Sequence, residues 1–157
     1  MVKEARAQAK VEVGVEKLWR ALAKDLRHIL PKVAPNLVTE AKLLEGDGGL
    51  GTIFLFHFGP DVPNMTYQKE QIAELDESQR RIGLQVIEGG HLNLGFTSYG
   101  TFFKLKALEE RKTMIDIQVV YDAEDEEEFS TDTPTKITEA TLLFIELLED
   151  YLLKVDG

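Results

Sequence analysis

Residues 45–52 read EGDGGLGT, and the run immediately after them decides the fold. Four glycines within six positions suggest a phosphate-binding loop. Such a loop ends in Gly-Lys-Ser/Thr and runs into a helix, so that the lysine and the helix N-terminus face the phosphates. Here Gly51 is followed by Thr52 and then by Ile53-Phe54-Leu55-Phe56-His57-Phe58, a β-branched and aromatic run without helical spacing. A dinucleotide-binding fingerprint needs a helix at the same point, and it too is missing. The glycines are therefore expected to turn a strand over residues 37–44 back on a strand over residues 53–58, supplying positive φ where a β-carbon would clash.

Outward from that hairpin, alternation predicts a strand over residues 7–13, with Ala7, Ala9, Val11 and Val13 on one face, broken at Gly14. Val15, Leu18, Trp19 and Leu22 then follow helical spacing. A second short helix is expected over residues 24–33, interrupted by Pro31 and closed by Pro35. Beyond the turn-rich residues 59–64, strand-like runs cover residues 66–75, 81–87, 96–105 and 113–121. The gaps between them are short, so neighbours should pair antiparallel. In the last run Ile115, Ile117, Val119 and Tyr121 face one way and Asp116 and Gln118 the other, so one side of the sheet is buried and the other wet. Residues 122–128 carry six acids in seven positions, the composition of a solvated loop. Thr133-Pro134 then suits a helix start, with threonine as N-cap and proline at the first helical position. Ile137, Thr141, Phe144, Leu148, Tyr151 and Leu152 mark one face of a helix some 30 Å long at roughly 1.5 Å per residue. Seven strands, two short helices after the first and a long C-terminal helix make one α+β domain over residues 1–157, its curved antiparallel sheet gripping the long helix.

Composition narrows the functions. The 157 residues fit one domain with a sizeable core. A net charge of −10 without a Lys/Arg cluster argues against nucleic acid and against an anionic membrane as partner. The absence of cysteine removes disulfides, thiol nucleophiles and thiolate metal sites, and suits the cytoplasm. The opening MVKEARAQAKVEV has no apolar core of a secretory signal, and no apolar run approaches the roughly 20 residues that span a bilayer. His28, His57 and His91 fall in a helix, a strand and a loop, with no metal-ligand spacing, so neither a metal nor a cofactor is expected.

EGDGGLGT, TYQKEQIAELDES (66–78), VIEGGHLNLGFTSY (86–99) and TPTKITEATLLFIELLEDYLL (133–153) resemble the plant pathogenesis-related class-ten proteins, which share the birch-pollen-allergen fold. The resemblance runs essentially end to end. Within that family, IGLQVIEGG and YQKE look most like the cytokinin-specific, or phytohormone-binding, subgroup. It implies a helix-grip fold around an internal cavity, a role in defence, and a small hydrophobic or aromatic ligand such as a cytokinin or gibberellin, held by a monomer or weak dimer. The same segments resemble norcoclaurine synthase, an enzyme on this fold that joins dopamine to an aldehyde. A fold does not by itself imply a reaction.

Gln68 and Glu70 lie two apart on a predicted strand and so point the same way. Pattern alone leaves open whether they or Tyr67, Lys69 and Gln71 face inward. The resemblance places Gln68 and Glu70 inside, where the carboxylate accepts N–H donors and the carboxamide both donates and accepts. It also assigns ligand contacts to Thr141 and Phe144; the subgroup has tyrosine where Phe144 stands, so one hydroxyl contact is lost. Alternation and family topology add Leu22, Phe56, Phe58, Leu84, Val86, Tyr99, Thr101, Phe103, Ile117, Val119 and Tyr121 to the wall. The synthase uses a tyrosine, a glutamate, a lysine and an aspartate. The glutamate falls on Glu70 and the tyrosine near Tyr67, but the lysine falls on Ile82 and the aspartate on Thr101. An isoleucine transfers no proton, so a complete inherited mechanism is not expected and no catalytic residue is assigned. Ribonuclease activity, also attributed to the family, ranks below both readings for want of a histidine acid/base pair.

Overall fold

The structure, a computed structural model, describes residues 2–124 and 133–155. The glycine stretch is a hairpin loop. It joins β2 (Val38–Glu45) to β3 (Ile53–Phe58), which pair antiparallel with Ala41 opposite Phe56 and Glu45 opposite Ile53. Gly46, Gly48 and Gly51 all have positive φ. At Gly46 a Cβ would lie 2.6 Å from the Thr52 hydroxyl and 2.8 Å from its Cα, so glycine is required there by space as well as by conformation.

The first strand, β1 (Lys3–Val11), begins earlier than alternation alone suggests, at Lys3 rather than Ala7. The helices α1 (Val15–Ala23) and α2 (Leu26–Val33) come next. Leu18, Trp19 and Leu22 are buried on the expected stripe of α1, and Trp19 Nε1 donates to Glu77 at 2.8 Å, tying α1 to the turn before β5. Pro31 sits inside α2 without ending it, because the Ala34 N–H still reaches the Leu30 carbonyl at 3.0 Å.

The remaining strands are β4 (Tyr67–Asp76), β5 (Arg81–Gly89), β6 (Phe96–Glu109) and β7 (Lys112–Ala123), with a 3-10 turn at Gly90–Asn93 between β5 and β6. One seven-stranded antiparallel sheet runs in the order β1-β7-β6-β5-β4-β3-β2. From β2 to β7 every strand pairs with its neighbour in the chain, as the short gaps require. The ends of the sheet are β1 and β2, which are consecutive strands, so α1 and α2 carry the chain from one edge to the other. Register shifts in the β2–β3, β4–β5 and β6–β7 pairs mark bulges, and bulges bend a sheet.

The long helix α3 (Thr133–Val155) packs against β1 and β7 and meets α2. Its fully buried residues are Ile137, Ile145, Leu148 and Leu152, whereas Thr141, Phe144 and Tyr151 are half-buried. Of the acidic stretch, Asp122 and Ala123 complete β7 and Glu124 comes after it; residues 125–128 lie outside the described residues.

Candidate functional site

The main core fills the space between α3, α1 and the β1–β7–β6 side of the sheet, where Ile115, Val119 and Leu148 are wholly buried. On the other side, under α2 and the N-terminal half of α3, the elements stand apart. A cavity of about 480 Å³ opens there between α2, α3, strands β3 to β6 and the loop over residues 59–66. Asp61 and Pro63 of that loop and Ala140 and Leu143 of α3 are the exposed part of its lining, and so form its mouth.

Eight of the residues singled out from the sequence come together on this wall: Phe56 from β3, Gln68 and Glu70 from β4, Tyr99, Thr101 and Phe103 from β6, and Thr141 and Phe144 from α3. Phe58 and Leu84 join them. Leu22 and Tyr121 do not. Leu22 lies on α1, which turns its apolar stripe into the main core; the cavity is faced instead by Leu26 and Leu30 of α2. Tyr121 lies on β7, which α3 covers, and it packs edge-on to Phe96 at 5.8 Å. Val86, Ile117 and Val119 are likewise core rather than cavity residues. Ile82 is buried in that core opposite Phe103, while Thr101 reaches the cavity.

The register of β4 is settled by what its other face does. Tyr67 Oη donates to Glu88 at 3.0 Å, Lys69 pairs with Glu88 at 3.2 Å, and Gln71 Nε2 donates to the Gly51 carbonyl at 3.3 Å. These three occupy the outside of the sheet, so Gln68, Glu70 and Ile72 point inward.

Gln68 is buried and Glu70 fronts the cavity among aromatic and aliphatic neighbours. Burial pushes the Glu70 carboxyl up to about 7, against a hydrogen bond from Gln68 that favours the charged form. Burial also raises the Tyr99 hydroxyl, helped by the charge of Glu70. Thr141 Oγ1 donates to the Ile137 carbonyl at 3.2 Å, so its proton is already used and toward the cavity it can only accept. Sequence reasoning missed His91. It lines the cavity, its ring nitrogen Nδ1 lies 2.7 Å from Gln68 Oε1, and its imidazole stacks on Tyr99 with centroids 3.8 Å apart. No spacing rule links position 91 to position 68; only the fold of the β5–β6 connection brings them together.

Among the described residues no cluster of three or more histidine, aspartate and glutamate side chains could hold a metal, and no helix is long and apolar enough to cross a membrane.

The chain is 26% identical over 148 residues to norbelladine synthase of Narcissus pseudonarcissus, covering 94% of this chain and 90% of that protein. The solved structure of truncated norcoclaurine synthase from Thalictrum flavum superposes with a TM-score of 0.81 at 23% identity, covering 98% of this chain and 94% of that one. Ginseng major latex-like protein 151 from Panax ginseng superposes with a TM-score of 0.83 at 20% identity, over 97% and 98% of the two chains. At those identities the two structures establish the fold. The model of the pathogenesis-related protein Bet v 1 family matches residues 1–155, and with the bent seven-stranded sheet, its long helix and the cavity between them it shows that the chain belongs to the Bet v 1 family.

Proposed function

We propose that the cavity binds one small, flat, largely hydrophobic ligand that carries an N–H donor, a phytohormone of the cytokinin kind, and that the whole chain acts as a single binding unit of the plant cytoplasm, monomeric or weakly dimeric, in a defence setting. The observation that carries this is Glu70, a carboxylate set in a largely apolar and aromatic wall, beside the buried amide of Gln68. Such a group recognises donors strongly because little water competes for it. The cavity volume of about 480 Å³ falls within the roughly 300–1,000 Å³ usual for small-molecule pockets. Its described lining contains two carboxylates, Glu70 and Asp61, and no lysine or arginine. That favours neutral or cationic nitrogen ligands over acids such as gibberellins or abscisic acid, whose carboxylates would find no cation there.

A thermal-shift screen against cytokinins, gibberellins, auxin, abscisic acid, melatonin and benzylisoquinolines tests the reading. A ligand that binds only the native state, at 100 times its dissociation constant, stabilises by about 2.7 kcal/mol. The expected result is stabilisation by cytokinins, with Glu70→Gln weakening them roughly 10- to 100-fold while an apolar dye binds both proteins alike. Stabilisation by the acids alone, or an indifferent Glu70→Gln, would overturn it.

One observation favours a second reading, an enzyme acting on an amine: a carboxyl brought to about 7 is poised as a general base. The similarity to proteins described as norbelladine and norcoclaurine synthases supports it as well. Against it, Ile82 stands in the core where the synthase resemblance would put the proton-transferring lysine.

A further inference from the structure

The segment VIEGGH, residues 86–91, turns the end of β5 into the 3-10 segment, and it does so against Gln68. Gly89 and Gly90 both have positive φ, and a Cβ on Gly90 would collide with the Gln68 carboxamide. The space left by that missing side chain is where the amide lies. The next residue closes it in. The main-chain N–H of His91 donates to Gln68 Oε1 at 3.1 Å, and His91 Nδ1 lies 2.7 Å from the same oxygen.

These contacts fix the chemistry of both groups. A main-chain N–H can only donate, so the atom of Gln68 that faces it must be the carbonyl oxygen, not the NH2. An amide oxygen can only accept, so His91 Nδ1 must carry a proton, and in the neutral ring Nε2 is then the bare nitrogen. Burial holds His91 down to about 4, which keeps it neutral at physiological pH with its one proton on Nδ1. With Oε1 held from two directions, the amide's NH2 is left for Glu70, the next residue on the same face of β4, whose charged form the Gln68 amide favours. The stack on Tyr99 and the edge contact with Phe96, centroids 5.7 Å apart, fix the plane of the imidazole.

We propose that His91 is a positioning residue of the binding site: its Nδ1–H and main-chain N–H clamp Gln68, whose amide then orients the Glu70 carboxylate, and Gly90 is glycine so that the clamp can close. His91 thereby sets the preference for ligands that donate to a carboxylate. That the carboxylate meets a ligand rests on the function proposed above; that His91 orients it does not. Asp61 and Tyr99 are the other titratable groups on the cavity wall, from the 59–66 loop and β6.

Glu70 is titrated by carboxyl 13C NMR in the ligand-free protein, its signal assigned with Glu70→Gln, and the His91 tautomer is read from long-range 15N–1H couplings. His91→Phe keeps a ring on Tyr99 and the main-chain N–H but has no side-chain donor; His91→Asn places an N–H near the position of Nδ1. In His91→Phe the Glu70 midpoint is expected to rise by about one pH unit, because a hydrogen bond to the charged form is loosened, and His91→Asn should recover most of it. N6-benzyladenine should bind His91→Phe roughly 3- to 10-fold more weakly than wild type, with the dye unaffected. An unmoved Glu70 midpoint in His91→Phe, or a wild-type imidazole protonated on Nε2, overturns the proposal. The tautomer is measured on the wild-type protein, so it decides the matter even where a variant does not fold. If N6-benzyladenine does not bind wild type, the proposed function fails while the titration and tautomer still decide the role of His91.

Discussion

Glu70 costs the folded protein stability. Its ordinary value of 4.5 rises to about 7 on folding, so the native state holds the proton more tightly than the unfolded chain. Below about pH 4.5 both states are protonated and nothing is lost; as pH rises toward 7 the unfolded carboxyl ionises first, and stability falls until both are charged. At about 1.4 kcal/mol per unit the loss is on the order of 3 kcal/mol, an upper figure because the side chain fronts a cavity. His91 works in the opposite sense, since burial lowers it from 6.5 to about 4 and its contribution is lost as pH falls through that window. Thermal melts of wild type and Glu70→Gln should therefore coincide near pH 4 and separate by pH 8, with the glutamine protein the more stable. A constant offset across that range would mean that Glu70 is solvated. Binding of a donor ligand to the ionised form should in turn strengthen from pH 6 to pH 8, by at most tenfold per unit below 7.

The glycine loop and α3 show how an element can look functional and be structural, or the reverse. In the loop the Gly48 N–H is taken by Thr52 Oγ1 at 2.9 Å, Gly49 by Asp47 Oδ1 at 3.0 Å, Gly51 by the Ile72 carbonyl at 2.8 Å, and Thr52 by the Gly49 carbonyl at 3.1 Å. These amides are satisfied by the hairpin and by β4, and none of the four is left to cradle a phosphate. Titration of ATP or GTP with magnesium should give no saturable signal, and Gly46→Ala should destabilise by about 1–3 kcal/mol through the strained φ of +93° and the contact with Thr52. Along α3 the distinction runs residue by residue. Leu148 has no exposed surface and lies in the main core, whereas Phe144, four residues earlier, borders the cavity. Leu148→Ala opens a void in packed structure and should cost roughly 2–5 kcal/mol in denaturant unfolding. Phe144→Ala enlarges a space that already exists and should cost less, roughly 1–2 kcal/mol, while changing dye affinity. Equal costs would mean that the cavity is packed shut in solution.

At the scale of the molecule, one bent sheet does two jobs. Against β1 and β7 the helix α3 seals a dry core; against α2 and β3–β6 it stands off and leaves the cavity. Where the side chains fall between these halves bears on catalysis. Glu70 and Thr101 are on the cavity side and Ile82 is in the core, so the described lining has a carboxyl near neutrality but no lysine beside it. Dopamine incubated with an aromatic aldehyde should yield condensation product at a rate indistinguishable from the buffer control. Rapid, stereoselective product lost in Glu70→Gln would show that this carboxyl alone suffices.

Local chemistry determined much of this architecture. A hairpin is legible in EGDGGLGT because no lysine and no helix come after it, and the antiparallel order of β2 to β7 is legible because short gaps permit nothing else. Inward and outward faces are legible along β7, where Ile115, Ile117, Val119 and Tyr121 alternate without interruption. In β4 polar residues occupy both faces, so pattern left the direction of Gln68 and Glu70 open, and only the partners of Tyr67, Lys69 and Gln71 decided it. Which apolar residues line a void and which fill a core was not legible either: Leu22 and Leu26 are alike as side chains, and the difference is where α1 and α2 lie. His91 marks the same limit. It meets Gln68 from 23 positions away, through two glycines that admit the approach, and a contact made by tertiary folding leaves no period in the chain. The sequence by itself determined the strands and the turns, because these arise from local sterics and alternation, and its motifs carried the resemblance to the family; the tertiary structure alone decided the cavity and the meeting of His91 with Gln68, because both depend on how far one element stands from another.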